Sequence, residues 1–352
     1  MHKIVSHGRT DLVRDTSHRD FALLDGLRGI AAIFVANRHM IDFFDGFRFF
    51  SSYLAVDLFY LLSGFVICFA YEKRLKSREL SAGQFITIRL IRMLPFLWAA
   101  IAIMAFVDIV RGQPRWEVYP FAALFLPTSF DIKRLWLIGP AWTLTYEIAI
   151  NIMYGVSSRV LTVAAVTVVC TISGLALIWA AFHYGRMDGG FRYSDIPLGV
   201  ARIFFPFTAG MLICRARSLI TVRLPGAAVV CMIVLIGVLV AHPPKNLRSL
   251  YEIFAVMVVF PAIIAFSINV YVPESVAKIF IFIGHASYPL YILHAPTSYL
   301  IRHTYCYLTG QTLAAPFAVG VVVLVLYVAM FGLIERHVES RLRNYLRRRL
   351  IR

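Results

Sequence analysis

Apolar runs of near-spanning length recur along this chain, separated by short polar stretches. The first half carries them near 24–44, 53–71, 93–110, 136–156 and 160–182, and the second half near 196–214, 224–241, 250–270, 278–301 and 313–334. A span needs about 20 mostly apolar residues at a rise of about 1.5 Å each. Hydrocarbon offers no partner to bare backbone N–H and C=O groups, so each run is expected to be a helix, and the period-two alternation of a barrel is absent. The pattern predicts an all-α polytopic transmembrane helical bundle of about ten spans. The stretch 118–128 (VYPFAALFLPT) is too short and too Pro-flanked to cross, and is expected to be re-entrant or interfacial.

Composition agrees with the bilayer as solvent, since 60% of residues are hydrophobic and only 15% charged, with a mean hydropathy of +0.74. The distribution of positive charge then orients the bundle. With the N-terminus inside, 22 of the 35 Lys and Arg residues fall on the cytoplasmic side, 10 on the opposite side, and three (Arg28, Arg38, Arg202) within spans. That excess predicts both termini in the cytoplasm. Residues 1–20 lack an apolar signal region and read as a cytoplasmic tail, 21–335 as the membrane domain, and 336–352 as a basic cytoplasmic tail. The net charge of +16 invites a nucleic-acid reading, but the basic residues are scattered over loops and tails, so no nucleic acid is expected as partner. The C-terminal RLRNYLRRRLIR suits anionic headgroups as a basic interfacial helix. The cysteines at 68, 170, 214, 231 and 306 show neither pairing nor metal-ligand spacing, and no metal is expected.

Ionisable residues inside spans cost about 2.5 to 3.5 kcal/mol on insertion scales, so each marks a candidate site. Arg28 and His39 stand eleven residues apart in the first span, within about 20° of the same helix face and roughly 16 Å apart along the axis. Arg89 and Arg92, ahead of Pro95 at the cytoplasmic start of the third span, present two guanidiniums side by side, suited to a polyphosphate. Taken alone, that pair reads first as positive-inside anchors. The fourth span holds Trp142 and, about a turn further in, Glu147, a carboxylate that needs a cation on a facing helix. Ser287, Tyr291 and His294 follow i, i+4, i+7 spacing in the ninth span, beside Tyr288 and Pro289. The second span adds Asp57 and the Ser63-Gly64 step, where Gly64 permits close helix contact.

In this order the segments resemble the acyltransferase-3 family of integral membrane acyltransferases, from Asp25 to Glu335. The family's Arg-x10-His is similar to Arg28 and His39 within DGLRGIAA; its V-D-x-F-F-x-L-S-G-F to Val56 through Phe65; and its R-x-x-R-x-x-P to Arg89, Arg92 and Pro95. Its W-[ST]-L-x-x-E is similar to Trp142 through Glu147, and its S-Y-x-x-Y-x-x-H to Ser287 through His294. Two departures are visible: Asn37 and Arg38 precede His39 where apolar or aromatic residues are common, and Glu335 is followed by Arg336 and His337 rather than closely by Pro.

The resemblance implies an enzyme that transfers an acyl group, acetyl from acetyl-CoA in most members, to a hydroxyl of a surface polysaccharide or lipid-linked sugar in a bacterial inner membrane. A small metabolite is the alternative acceptor, and a glycan-precursor transporter or flippase the alternative function. Acyl-CoA enters as donor substrate, with no permanently bound cofactor, and membrane lipids are the other expected partner. His39 is expected as general base with Arg28 and Glu147 as catalytic partners, and Arg89 and Arg92 as the site for CoA phosphates. Glu147 either orients His39 or pairs with Arg28. Asp25, Asp57, Ser63, Trp142, Ser287, Tyr288, Tyr291 and His294 are expected to line the substrate pocket, with the last stripe donating to the oxyanion. Direct transfer is favoured over a relay through acylated His39 or Ser63.

Overall fold

In a computed structural model, residues 21–128, 136–221 and 226–350 are described; the expected tail 1–20 lies outside them. Among the described residues every regular element is helical. The chain runs through α1 (Ala22–His39), α2 (Ala55–Lys76), α3 (Ala82–Val110), a short α4 (Tyr119–Ala123), α5 (Trp142–Ser157), α6 (Val163–Tyr184), α7 (Ile196–Ala216) and α8 (Ala227–Val240). Then α9 (Arg248–Phe254) continues through a π turn (Ala255–Val259) into Phe260–Ser267, followed by α10 (Glu274–Thr309) and α11 (Phe317–Ile334). A second π turn (Glu335–Glu339) leads into a terminal helix, α12 (Ser340–Leu350). Stretch 118–128, expected at an interface, contains only the five-residue α4.

Seven helices among the described residues are long and apolar enough to cross a membrane, and the chain is a multi-pass membrane protein. The other three predicted spans are occupied by α1, α5 and α8. Each falls short for a local reason. The fourth apolar run opens on Gly139-Pro140, so regular helix starts only at Trp142 and α5 has 16 residues. Helix α8 has 14. Helix α1 carries Asp25, Arg28, Arg38 and His39 in its 18 residues, and tolerates them because it is central: Leu27, Ala31, Ala32 and Ala36 are fully buried, and it packs on α10, α2, α11, α8 and α9. A helix screened from lipid by its neighbours does not need an apolar surface all round.

Small residues set the two closest helix contacts. Against α10, α1 presents Gly26 and Gly29 and α10 presents Gly284, whose added Cβ would lie 2.6 Å from the Asp25 Cβ. Between α2 and α7, Gly64 faces the Phe207 carbonyl and Gly210 faces the Leu61 carbonyl. Lipid tails are as apolar as leucine, so such contacts hold through packing and not through expulsion of water. The close α1–α10 and α2–α7 pairs leave a seam between two apolar clusters, one built mainly on α2, α7 and α9 and one on α3, α10 and α11. The candidate site lies in that seam.

A Cβ at Gly64 would sit 2.0 Å from the Phe207 backbone oxygen, whereas one at Gly237 meets nothing within 4 Å. Gly64→Ala is therefore expected to lose about 3 kcal/mol or more of stability through overpacking, while Gly237→Ala holds or gains up to about 1 kcal/mol from helix propensity. Thermal melts of the detergent-purified variants measure both, and equal melting temperatures would refute the close α2–α7 contact.

Candidate active site

Arg28 locks the first helix pair from inside. Its Nε donates to Ser287 Oγ at 2.9 Å, and one terminal nitrogen donates to Asp25 Oδ1 at 2.8 Å and to the Gly284 carbonyl at 2.9 Å. The absent side chain at Gly284 lets the Asp25 backbone approach α10 at this point. Ser287 in turn donates to Gly284 O at 2.6 Å, so its proton is committed.

On the facing side, Arg89 of α3 donates to Glu147 Oε1 of α5 at 2.8 Å, and the Ser63 hydroxyl of α2 donates to the same oxygen at 3.2 Å. Arg89 is buried and Glu147 partly so. Arg92, one turn further along α3, makes no hydrogen bond or ion pair with any described carboxylate and is half-buried. These groups line an elongated cavity of about 590 Å³ between α1, α2, α3, α5 and α10, within the range that holds a cofactor-sized ligand. Along α2 its wall runs from Val56 to Tyr71, roughly 22 Å at the helical rise.

Tyr291 and Thr143 line the same cavity further along α10 and α5. The Thr143 and Tyr291 hydroxyls lie 2.8 Å apart, and both reach the Pro140 carbonyl, at 2.9 and 3.4 Å, so either order of donation keeps both protons within this group. Beyond it, His294 is fully buried and its Nδ1 donates to Leu290 O at 2.8 Å. A carbonyl can only accept, so the other nitrogen, Nε2, carries the lone pair; it is buried without a hydrogen-bond partner. The His294 ring centre lies 6.5 Å from that of Tyr291 and 5.3 Å from that of His39. His39 closes α1 and is exposed. Its two atypical neighbours are used structurally: the Asn37 side-chain oxygen accepts Phe49 N–H at 3.1 Å, and Arg38 pairs with Asp188 at 2.6 Å.

Most of the residues marked in the sequence gather here. Asp25, Arg28, Ser63, Arg89, Arg92, Glu147, Ser287, Tyr288 and Tyr291 line the cavity, and Tyr288 also ties α10 to α3 by donating to Met93 O at 2.6 Å. Four do not line it. Asp57 is fully buried and forks with Arg202 of α7 at 2.6 and 3.0 Å, because α2 turns that face toward α7 and away from the seam. Trp142 is packed edge-on to Tyr146 with Arg202 over its ring, on the same side. His39 and His294 lie past the cavity's Tyr291 wall. Glu147 pairs with Arg89, neither of the two partners weighed from the sequence, because α5 packs on α3. Of the expected oxyanion donors, Ser287 and Tyr291 have committed protons and neutral His294 offers a lone pair.

The sequence reading passed over Tyr60, Thr143, Glu335, Arg343 and Arg347, all of which line the cavity. Tyr60 and Thr143 stood inside two of the family-like segments, Val56 through Phe65 and Trp142 through Glu147, without being singled out there. Glu335 stood at the end of the last apolar run, and Arg343 and Arg347 at i, i+4 spacing in the basic terminus, where one face of a helix was already legible.

Among the described residues the chain is a helical membrane bundle around a charged internal cavity, a setting for an enzyme or a transporter alike. Residues 21–333 match the family model described as an acyltransferase domain, and the chain belongs to the acyltransferase-3 family. It is also 38% identical, over 184 residues, to "Protein 2 in picA locus" of Rhizobium radiobacter, an alignment that covers 47% of this chain and 96% of that protein. No solved structure matches the chain. Membership decides for the acyltransferase over the transporter reading.

The two inter-helix ion pairs are expected to respond differently to neutralisation. Asp57→Asn strands a fully buried Arg202 and is expected to cost about 3 to 5 kcal/mol, with no change in donor KM for the protein that remains folded. Glu147→Gln leaves Arg89 beside a cavity that admits water, so its stability loss is smaller and its activity loss larger. Melting temperatures and donor KM of both variants check this, and a donor KM raised by Asp57→Asn would return Asp57 to the pocket.

Proposed function

We propose that this acyltransferase transfers an acetyl group from acetyl-CoA to a hydroxyl of a cell-surface polysaccharide or lipid-linked sugar, at a bacterial inner membrane. The observation that carries the reading is the cavity itself, with arginines toward one end and, past Tyr291 at the other, the His294–His39 pair. A cytoplasmic arginine-rich end, as the positive charge count implies, admits the polyanionic nucleotide from the side where it is made. The narrow, partly apolar length behind it suits an extended pantetheine arm. The relative from Rhizobium radiobacter supports a bacterial setting.

In this reading His39 is the general base. As the acceptor oxygen attacks the thioester carbonyl, His39 takes the hydroxyl proton; the tetrahedral intermediate collapses with cleavage of the C–S bond, and the imidazolium returns the proton to the leaving CoA sulfur. The exposure of His39 suits an acceptor that arrives from the opposite face, and in this reading the Nε2 of His294, which has no hydrogen-bond partner, accepts an N–H from His39 during the reaction and orients it. Arg28 acts through its bond to Ser287, holding α1 in register with α10. The Ser63 hydroxyl donates to the same Glu147 Oε1 that holds Arg89, a tie between α2, α3 and α5 that reads as positioning and leaves direct transfer favoured over an acyl-serine relay.

His39→Ala is expected to lower acyl transfer by at least about a hundredfold, the span of general-base effects, with an unchanged melting temperature. Release of thiol from acetyl-CoA by purified protein, and the acetyl mass on surface polysaccharide of a complemented deletion strain, read the effect. Near-native transfer by the variant would remove His39 from the mechanism, and unaltered polysaccharide in the deletion strain would redirect the acceptor to a metabolite.

A further inference from the structure

The lining of the cavity holds five arginines and three carboxylates. Each carboxylate has its own arginine: Asp25 with Arg28 at 2.8 Å, Glu147 with Arg89 at 2.8 Å, and Glu335 with Arg343 at 3.4 Å. Arg92 and Arg347 are left over: neither forms an ion pair or hydrogen bond with a carboxylate among the described residues, and Arg92 acts on Glu335 only at longer range. They come from opposite ends of the chain. The π turn at Glu335–Glu339 ends α11, and α12 then packs against α3, the helix of Arg89 and Arg92. A π turn inserts an extra residue and shifts the face that follows, and such turns are frequent at functional sites. Here it puts Glu335 on the cavity wall, where its other oxygen takes His285 Nδ1 at 2.9 Å, and it brings Arg343 and Arg347, one turn apart, to the same wall.

We propose that α12 completes a phosphate-binding subsite at the arginine-rich end of the cavity, where Arg347, with Arg343 and Arg92, grips the phosphates on the nucleotide end of a CoA thioester. The assignment rests on the donor reading above and extends it to a segment that charge alone would have laid on lipid. The ligand class follows from the surroundings. Two guanidiniums with no ion-pair partner among the described residues, beside a partly apolar cavity, call for a polyanion, because phosphate oxygens accept strong charge-assisted hydrogen bonds from such groups. Phe21, Phe69 and Tyr71 line the same region, with Phe21 and Phe69 edge to face at 4.9 Å between centroids, a surface fit for a flat base. The long cavity beyond takes a thin neutral tail. A polyanionic head, an aromatic base and a thin tail together describe a phosphorylated nucleotide thioester better than a lipid with two acyl chains.

The same phosphate chemistry is offered by an anionic headgroup, and the experiment separates the two sources. Binding of CoA, 3′-dephospho-CoA and pantetheine to the full-length protein is measured by calorimetry in phosphatidylcholine nanodiscs and in discs containing phosphatidylglycerol. Arg347→Gln is expected to weaken CoA roughly tenfold, the scale of one charge-assisted hydrogen bond, in both kinds of disc, and to leave pantetheine unchanged. Arg349→Gln, whose parent side chain lies over the Tyr345 ring, is the control on the same helix and should bind like wild type. Melting temperatures confirm that all variants are folded. Undiminished CoA binding by Arg347→Gln, equal loss for CoA and pantetheine, or an effect confined to phosphatidylglycerol discs would each overturn the subsite while leaving the donor reading intact. Failure of the wild-type protein to bind CoA at all would remove the donor reading and the subsite together.

Discussion

Hydrocarbon offers a guanidinium no partner, and the architecture of this bundle follows from where its arginines find one. Arg202 is answered by Asp57, across α7 and α2. Arg89 is answered by Glu147, across α3 and α5. Arg28 is answered within its own helix by Asp25 and across the gap by Ser287 and Gly284 O. Each pair fixes a helix register that apolar packing, being non-directional, leaves loose. The small residues at Gly64, Gly210 and Gly284 then permit the approach that those registers require. Replacing the Asp57–Arg202 pair with well-packed apolar residues need not destabilise the protein, which makes register a better account of its presence than energy.

The same constraint explains what was legible in the sequence. Along one helix the geometry is local, so the stripe Ser287, Tyr291, His294 and the shared face of Arg28 and His39 followed from 3.6-residue periodicity, and the seven long spans followed from length and apolarity. Partners between helices are not local. Nothing in sequence order joins Asp57 to Arg202, 145 positions away, and a carboxylate that seemed a pocket residue became a strut. Glu147 met Arg89 because α5 packs on α3, a pairing between helices that the order of the spans does not reveal. The polar α1 was readable as a span only because a hydrophobic average tolerates a few charges; its central position, which makes those charges bearable, depends on five other helices.

The departures from the family pattern show how a site can be kept while its support changes. Beside His39, Arg38 leaves the site to pair with Asp188, beneath the Tyr53–Glu252–Arg248 group that holds the Met187 amide. Asn37 pins the chain after the helix through Phe49 N–H. The polar neighbours thus anchor the end of α1 where apolar packing would otherwise do so, and His39 alone of the three remains exposed. Similarly, a Pro soon after Glu335 would forbid the i to i+4 ladder from continuing, whereas Arg336 and His337 let the chain pass through a π turn into α12.

That continuation ties the last helix to the chemistry through charge balance. The cavity lining carries two more arginines than carboxylates, and like charges that share one such space repel. Water in the cavity lowers this, and a bound polyanion reverses its sign. In the proposed subsite the donor therefore does for Arg92 and Arg347 what Asp25, Glu147 and Glu335 do for the other three arginines. Binding and folding then draw on one electrostatic account, and a ligand present at a hundred times its dissociation constant adds about 2.7 kcal/mol to the folded state. A surplus that would be a defect in a purely structural bundle is, in the proposed subsite, the condition for holding a polyanion.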